Sequence, residues 1–477
     1  MKMNLENIGI IKDSTVFLKG LTVITGKNNS GKTTVGKILY STIQANSELE
    51  NVYEISKATY ISAQLDRMWR TLTGQWLYVF NLARRNKPMT SIEKVIYLLG
   101  NERRKNTEAS DVETLHKVRD VLIDLSFDDF AEAVASLSDG YDFWSEDDPN
   151  SFEQRKNTAL EICSQAIKTV ENPNAFDSFR KKRMQDFIND AFHNQVQPVR
   201  NPGVVSRFSI SDEKTNTINV EIRNKQDYKF NETRQWGYLY DRAVFIDNPF
   251  AIDETYHSND GLFARYSFGM RDHGGIESVS IPSHNDELRR LLRTKASDNF
   301  FDTLDFQSKY RNVLEKINRI VPGEFRETND GIFYSAEGML LDVQNMATGS
   351  KMFFIIKLLL MNGHLDEHTV LILDEPESHL HPEWINEFAN ILILLIKEIG
   401  MHVLLTTHSP NLLLALDVYS KEYEMKEQSH FYLAEKTENS WEARLTNIDD
   451  NISEGYAHLA LPLLQMNALK NQSEEDE

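Results

Sequence analysis

The stretch Leu21-Thr22-Val23-Ile24-Thr25-Gly26-Lys27-Asn28-Asn29-Ser30-Gly31-Lys32-Thr33-Thr34 decides the reading of this chain. Leu21–Ile24 is an apolar run that predicts a buried strand, and Val35–Tyr40 begins a helical pattern. Strand, G-x-x-x-x-G-K-[ST] and helix in that order describe a phosphate-binding loop in the context it requires. Gly26 and Gly31 permit backbone geometry that a Cβ would obstruct. The N–H groups of Lys27, Asn28, Asn29 and Ser30 can then converge on one concavity, and the helix N-terminus adds positive potential. Lys32 is expected to reach the β- and γ-phosphates, and the Thr33 hydroxyl to ligate Mg²⁺, with Thr34 completing the loop. A chance glycine-rich turn would lack both flanks.

Working outward, 477 residues are enough for two or three domains with a large core. Lys and Arg number 52 against 72 Asp and Glu, a net charge of −20. So acidic a surface argues against coating nucleic acid or anionic membrane, and leaves room only for a local basic groove. Cys163 is the single cysteine, which precludes an internal disulfide and fits a reducing, cytoplasmic setting. The N-terminus lacks the apolar core of a signal peptide. The apolar runs near Met352–Met361 and Ile391–Ile396 are too short to span a bilayer, so no membrane partner is expected.

The pattern divides the chain into four. Residues 1–46 hold strand-like runs, read as a small antiparallel β-unit feeding the loop, and then a helix over 33–44. Residues 47–200 are mostly helical and polar, with Asp111 as an N-cap before the face Leu115, Val118, Leu122. No heptad seam persists, so this is an inserted lobe and not a long coiled coil. Its basic clusters, Arg84-Arg85, Arg103-Arg104-Lys105 and Arg180–Arg183, read first as solvated helix faces and second as a nucleic-acid groove. Residues 201–325 begin with a hairpin around Asp212–Asn216, continue through the core strand Ala243–Asp247, and pass a Gly- and His-containing loop, 261–281. Residues 326–477 bring Ala347-Thr348-Gly349-Ser350-Lys351 before an apolar helix, then two buried strands, and end in an acidic tail, 473–477, expected to be without structure.

Val370-Leu371-Ile372-Leu373-Asp374-Glu375-Pro376 describes a buried parallel strand with its acids at the carboxyl edge. There Asp374 is placed to hold Mg²⁺ through water, and Glu375 to orient or deprotonate the water attacking a γ-phosphate. Met401–Thr407 is a second buried strand, ending in His408, which could sense the same phosphate. His379 and His381 form an H-x-H without a third ligand at metal spacing, and read as a structural turn. His273 and His284 fall in expected loops and take no role.

The series Gly26–Thr34, Gly349 with its following helix, Asp374-Glu375-Pro376 and His408 resembles an ABC-type ATPase head of the SMC/RecF/OLD group. The resemblance covers residues 1–45 and 325–420. It implies an α/β fold in which a mixed central β-sheet with flanking helices is interrupted by a mostly helical insertion. It also implies Mg²⁺-dependent ATP hydrolysis at a site shared between two heads. Thr348, Gly349 and Ser350 would then be the loop one head offers to the ATP of the other. The usual signature serine falls on Ala347 when Gly349 is aligned, which brings Thr348 and Ser350 forward as substitutes. The glutamine that normally senses Mg²⁺ has only Gln195 and Gln197 as candidates.

The run Leu373–Pro382 is particularly similar to OLD-type and other phage-defence ATPases. OLD nucleases carry a Toprim domain after the head, but only about 70 residues follow His408. With one cysteine there is no HNH-like His/Cys cluster either. The similarity therefore extends to the ATPase subunits of the Septu, PARIS and retron systems, which implies a separate effector, a nuclease by analogy, and a nucleic acid or phage protein as trigger. The competing expectation is a DNA-repair ATPase that clamps DNA, separable by salt-dependent, ATP-stimulated DNA binding. A standalone nuclease using cryptic acids is the third expectation, separable by a cleavage assay.

Overall fold

Runs of β-branched and leucine residues build the centre of the molecule. The computed structural model describes residues 1–73, 89–101, 111–137, 149–212, 217–233, 240–255, 281–296, 310–328, 331–336, 338–437 and 441–475. Its strands are β1 (Lys2–Ile8), β2 (Ile11–Phe17), β3 (Leu21–Gly26), β4 (Ser206–Ser211), β5 (Thr217–Asn224), β6 (Asp227–Thr233) and β7 (Arg242–Ile246). They continue as β8 (Glu324–Thr328), β9 (Gly331–Ala336), β10 (Met339–Asp342), β11 (Thr369–Asp374), β12 (His402–Thr407), β13 (Ser429–Lys436) and β14 (Ala443–Asn447). Helices are α1 (Lys32–Asn46), α2 (Leu49–Thr73), α3 (Ser91–Asn101), α4 (Val112–Asp124), α5 (Phe127–Leu137), α6 (Pro149–Val170) and α7 (Ala175–Ala191). After these come α8 (His284–Arg293), α9 (Arg311–Ile320), α10 (Thr348–Met361), α11 (Pro382–Ile399), α12 (Pro410–Glu422) and α13 (Ile452–Glu475).

The described residues form two units, one of residues 1–47, 182–255 and 281–475, the other of residues 48–181. The first is organised on a mixed eleven-stranded sheet of order β6-β5-β4-β1-β2-β14-β13-β3-β12-β11-β7. Its centre, β13-β3-β12-β11-β7, is parallel, with Leu404 beside both Thr22 and Ile372. The side from β6 to β2 is antiparallel. Strand β3 is buried at every position because both of its faces are covered. Ile24, Ile372 and Leu404 join α1 on one face. Val23, Leu371 and Leu405 join α10, α11 and α12 on the other. A separate three-stranded sheet, β10-β9-β8, precedes α10. The α/β class expected of the sequence, a mixed central sheet with flanking helices and a helical insertion, is the architecture observed.

Several expectations change. Leu21–Thr25 is not part of an antiparallel β-unit: β3 lies in the parallel core, and β14 and β13 separate it from β2. The segment after His408, which gives weak strand signals, supplies the core strand β13, with Phe431, Tyr432 and Leu433 all buried. Its polar neighbours dilute the pattern that burial on both faces normally leaves. The acidic end is helical as far as Glu475, continuing α13, while residues 476–477 lie outside the described residues.

The second unit packs its own core from Leu65, Trp69, Leu115, Val118, Leu122, Phe130, Phe152 and Cys163. Burial pushes the Cys163 thiol up to about 11, so it is an inert core group donating to the Leu115 carbonyl. Residues 182–200, expected within the lobe, group instead with the first unit, where Met184, Phe187, Ile188 and Val196 join the sheet core. Within the Arg180–Arg183 cluster, Arg180 and Lys181 pair with Asp177, and Lys182 pairs with Asp186. Arg183 donates to the Gln44 and Ala45 carbonyls, so all four cations have partners within the chain. The clusters Arg84-Arg85 and Arg103–Lys105 and the loop with His273 lie outside the described residues. None of the described helices is long and apolar enough to cross a membrane.

Asp111 caps α4 by accepting the Thr114 N–H at 2.8 Å. Asp111→Ala should lower the stability of the helical unit by about 1 kcal/mol in urea unfolding, and a change below the error of that measurement would contradict the cap.

Candidate nucleotide site

Parallel β3, β12, β11 and β7 bring Gly26, His408, Asp374 and Asp247 to one edge, since each stands at or just beyond the carboxyl end of its strand. Gly26 is opposite Ala434 of β13. At φ +151°, a Cβ there would lie 2.4 Å from the Ala434 carbonyl oxygen, so the loop can leave the sheet only through glycine. Asn29 and Gly31 turn the chain with φ of 58° and 87°, and α1 starts at Lys32. Thr34 begins its hydrogen-bonding on the Gly31 carbonyl. Among the described residues, the buried hydroxyls of Thr25 and Ser30 find no hydrogen-bond partner.

Lys32 is 4% exposed. Its Nζ donates to the Gly26 and Lys27 carbonyls, each at 3.0 Å, and lies 3.2 Å from Glu375 Oε1. Glu375 Oε2 in turn faces His408 Nδ1 at 3.2 Å. One carboxylate therefore joins the phosphate loop to the end of β12. Glu375 reaches this position in the left-handed region, at φ 50°. That backbone is fixed by its N–H, which donates to both the hydroxyl and the carbonyl of Thr406 at 3.1 Å. Thr33 Oγ1 lies 3.1 and 2.9 Å from the Asp374 oxygens, and the Thr406 hydroxyl also bonds Asp374. Burial pushes the Asp374 carboxyl above its ordinary range, with these hydroxyls pulling the other way.

Thr348, Gly349 and Ser350 occupy the first turn of α10, with Ser350 N–H on the Ala347 carbonyl. Gly349 packs so tightly that a Cβ would come within 3.0 Å of the His379 carbonyl. Among the described residues, no hydrogen bond or ion pair joins these three to residues 26–34. His381 caps α11 through Glu383 N–H, and the His379 ring lies against Phe250. Gln197 donates to the Val204 and Arg223 carbonyls, an anchoring role within the chain.

Several participants escaped the sequence reading. Asp247 follows β7, one residue past the Leu373–Ile246 pair, and therefore stands beside Asp374. Its Oδ2 is 2.7 Å from His284 Nε2. Burial pushes Asp247 up, but the His284 hydrogen bond and the nearby cations outweigh it and leave the carboxyl below its usual range. A strand-ending acid was visible in Ala243–Asp247; that this strand borders β11 was not. Lys351, 2% exposed, bonds Asp253 at 2.7 and 2.6 Å and the Gln344 carbonyl at 3.1 Å. A lysine in an apolar helix pattern was the available signal. Thr406 and Glu377 were in view as parts of polar strand ends, without partners to define them.

A glycine-bounded loop, a buried lysine and a hydroxyl–carboxylate pair on a parallel sheet edge define a phosphate-loop nucleotide-binding domain. A family model described as an AAA ATPase domain matches residues 1–413, and the chain belongs to that family. It is accordingly an ATPase-type domain that uses ATP. No curated protein sequence matches it. Among solved structures it is similar to an SMC head bound to the C-terminal winged-helix domain of ScpA, at 10% identity and TM-score 0.41, covering 95% of this chain and 98% of that one. It is also similar to the SMC head domain from Thermotoga maritima, at 10% identity and TM-score 0.37, covering 94% and 97%. A Pyrococcus furiosus SMC head with an extended coiled coil, bound to the C-terminal domain of ScpA, matches at 9% identity and TM-score 0.35, covering 100% and 99%.

Gly26→Ala sets a Cβ against a backbone oxygen that cannot move aside. Nucleotide titration should show affinity reduced on the order of tenfold or more, with a lower melting temperature; unchanged values in both would contradict the loop geometry.

Proposed function

We propose that this chain is an ABC-type head that binds Mg²⁺-ATP, hydrolyses it, and uses the nucleotide state as a switch. The observation that carries this reading is the Lys32–Glu375–His408 cluster, two 3.2 Å contacts that unite distant parts of the chain at one sheet edge. The donor set suits the ligand. Among the described residues the buried hydroxyls of Ser30 and Thr25 have no partner, and Thr33 with Asp374 offers the hard oxygens that Mg²⁺ prefers. Bound Mg²⁺-ATP supplies the phosphoryl group and the metal charge that offsets negative charge developing during transfer. Lys32 holds its ammonium at the floor of the loop. Glu375 orients a water and accepts its proton, and His408 fixes the second oxygen of that carboxylate.

The signature segment Thr348–Ser350 makes no bond to its own phosphate loop among the described residues. This supports a site completed by the same segment of a second copy. The output we propose is control of a separate effector protein in anti-phage defence, an inference from the resemblance of the Leu373–Pro382 run. A DNA-clamping role is the alternative output, and the internal pairing of Arg180–Arg183 gives it no support there.

Lys32→Ala should weaken ATP binding on the order of 100-fold, because it empties a buried charge position. Glu375→Gln should keep ATP affinity, slow turnover about 100-fold or more, and accumulate an ATP-bound oligomer in size-exclusion chromatography. Wild-type affinity in the first or wild-type turnover in the second would refute the assignment. Co-purification of a second protein with the chain from its native operon supports effector control; a partner-free chain that binds DNA in a salt-dependent, ATP-stimulated way supports the alternative.

A further inference from the structure

Pro376 separates two acids that the fold sends in different directions. Glu375 turns toward Lys32 and the His408 ring, as described. Glu377, in the short 3₁₀ turn Pro376–His379, points inward and is 5% exposed. Its Oε1 accepts the Thr407 hydroxyl at 2.6 Å and the His408 backbone N–H at 3.0 Å. The His408 ring nitrogen Nδ1 stands 3.7 Å from the same oxygen. Its Oε2 is buried and finds no hydrogen-bond partner among the described residues. Burial pushes this carboxyl above its ordinary range, as expected of an acceptor kept from water.

An acid so enclosed is poorly placed to exchange protons with an attacking water. It is well placed to fix a backbone. The hydroxyl of Thr407, the last residue of β12, and the N–H of His408, the first residue beyond it, are both tied to Oε1, and the direction of the His408 ring follows from that backbone. We propose that Glu377 is the positioning residue of the switch: it clamps the Thr407–His408 backbone so that the imidazole faces Glu375, and it transfers no proton itself. The proposal rests on the ATPase reading above and adds to it a residue that acts through another.

The test compares steady-state ATP hydrolysis by wild type, Glu377→Gln, Glu377→Leu and His408→Ala, with melting temperature as the folding check. Gln keeps an acceptor oxygen where Oε1 stands, so Glu377→Gln should retain turnover within about threefold. Leu keeps the volume and loses the acceptor. Glu377→Leu should lose on the order of 10- to 100-fold in kcat, with KM for ATP within about threefold of wild type. Added to His408→Ala, Glu377→Leu should cost nothing further, because both act through one imidazole. The proposal is overturned by a Glu377→Gln as slow as Glu377→Leu, which would make the carboxylate itself the reacting group. Fully additive losses with His408→Ala, or a Glu377→Leu with wild-type kcat, overturn it equally. A folded wild type that binds ATP and never hydrolyses it would sink the ATPase reading and this inference together, whereas an active wild type with an unimpaired Glu377→Leu sinks the inference alone.

Discussion

The buried ammonium of Lys32 is the constraint from which the rest of the site follows. Removing a lysine charge from water costs several kcal/mol unless oxygens replace the water it loses. Here two oxygens come from its own loop and the third from Glu375. The first two exist only because Gly26 and Gly31 fold the loop back under the lysine. The third exists only because β11 runs parallel to β12 and ends two strands from β3, which carries the loop. Glu375 is held there in a left-handed conformation, a strain of order 1–3 kcal/mol for a non-glycine residue. The bonds of its N–H to Thr406 and of its carboxylate to Lys32 and His408 offset that strain. Loop shape, strand order and the Glu375 carboxylate are thus parts of one electrostatic arrangement.

What the sequence disclosed was local chemistry. The Gly26–Thr34 loop, the helix after it, the strand ending in Asp374-Glu375 and the strand ending at His408 all follow from short patterns whose physics is complete within ten residues. Relations across the sheet were hidden. Asp247 beside Asp374, Glu377 beneath His408 and Asp253 beneath Lys351 each depend on which strands become neighbours, and no periodicity reports that. The centrality of β13 was hidden for a related reason. Ser429, His430 and Glu435 break its apolar run, yet Ser429 donates to the Met425 carbonyl, Asp449 lies 2.8 Å from the His430 ring and His458 lies 3.3 Å from Glu435, so each polar side chain that obscured the pattern has a partner.

A second buried lysine shows the same logic applied to the start of α10. Lys351 is inside the first two turns of α10, held by Asp253 and the Gln344 carbonyl, with its ammonium 5.1 Å from the centre of the Phe250 ring. The turn that carries Phe250 and Asp253 directly follows β7, whose last neighbour in the sheet is β11. Gly349 meanwhile packs on the carbonyl of His379, in the turn after Glu375. The start of α10 is therefore braced from two sides by segments that emerge from the nucleotide edge. Motion at that edge has a short mechanical route to the segment proposed to face another copy.

The sheet order carries a consequence for how the polypeptide is made. Strands β2 and β3 are separated in sequence by a three-residue link, yet β14 and β13 are interleaved between them in space. During translation β3 leaves the ribosome early and must wait, with both its edges unpaired, until β12 and β13 have been added some four hundred residues later. Until those partners arrive, the unpaired edges of β3 are a site for pairing between nascent chains, a demand that follows from the sheet order.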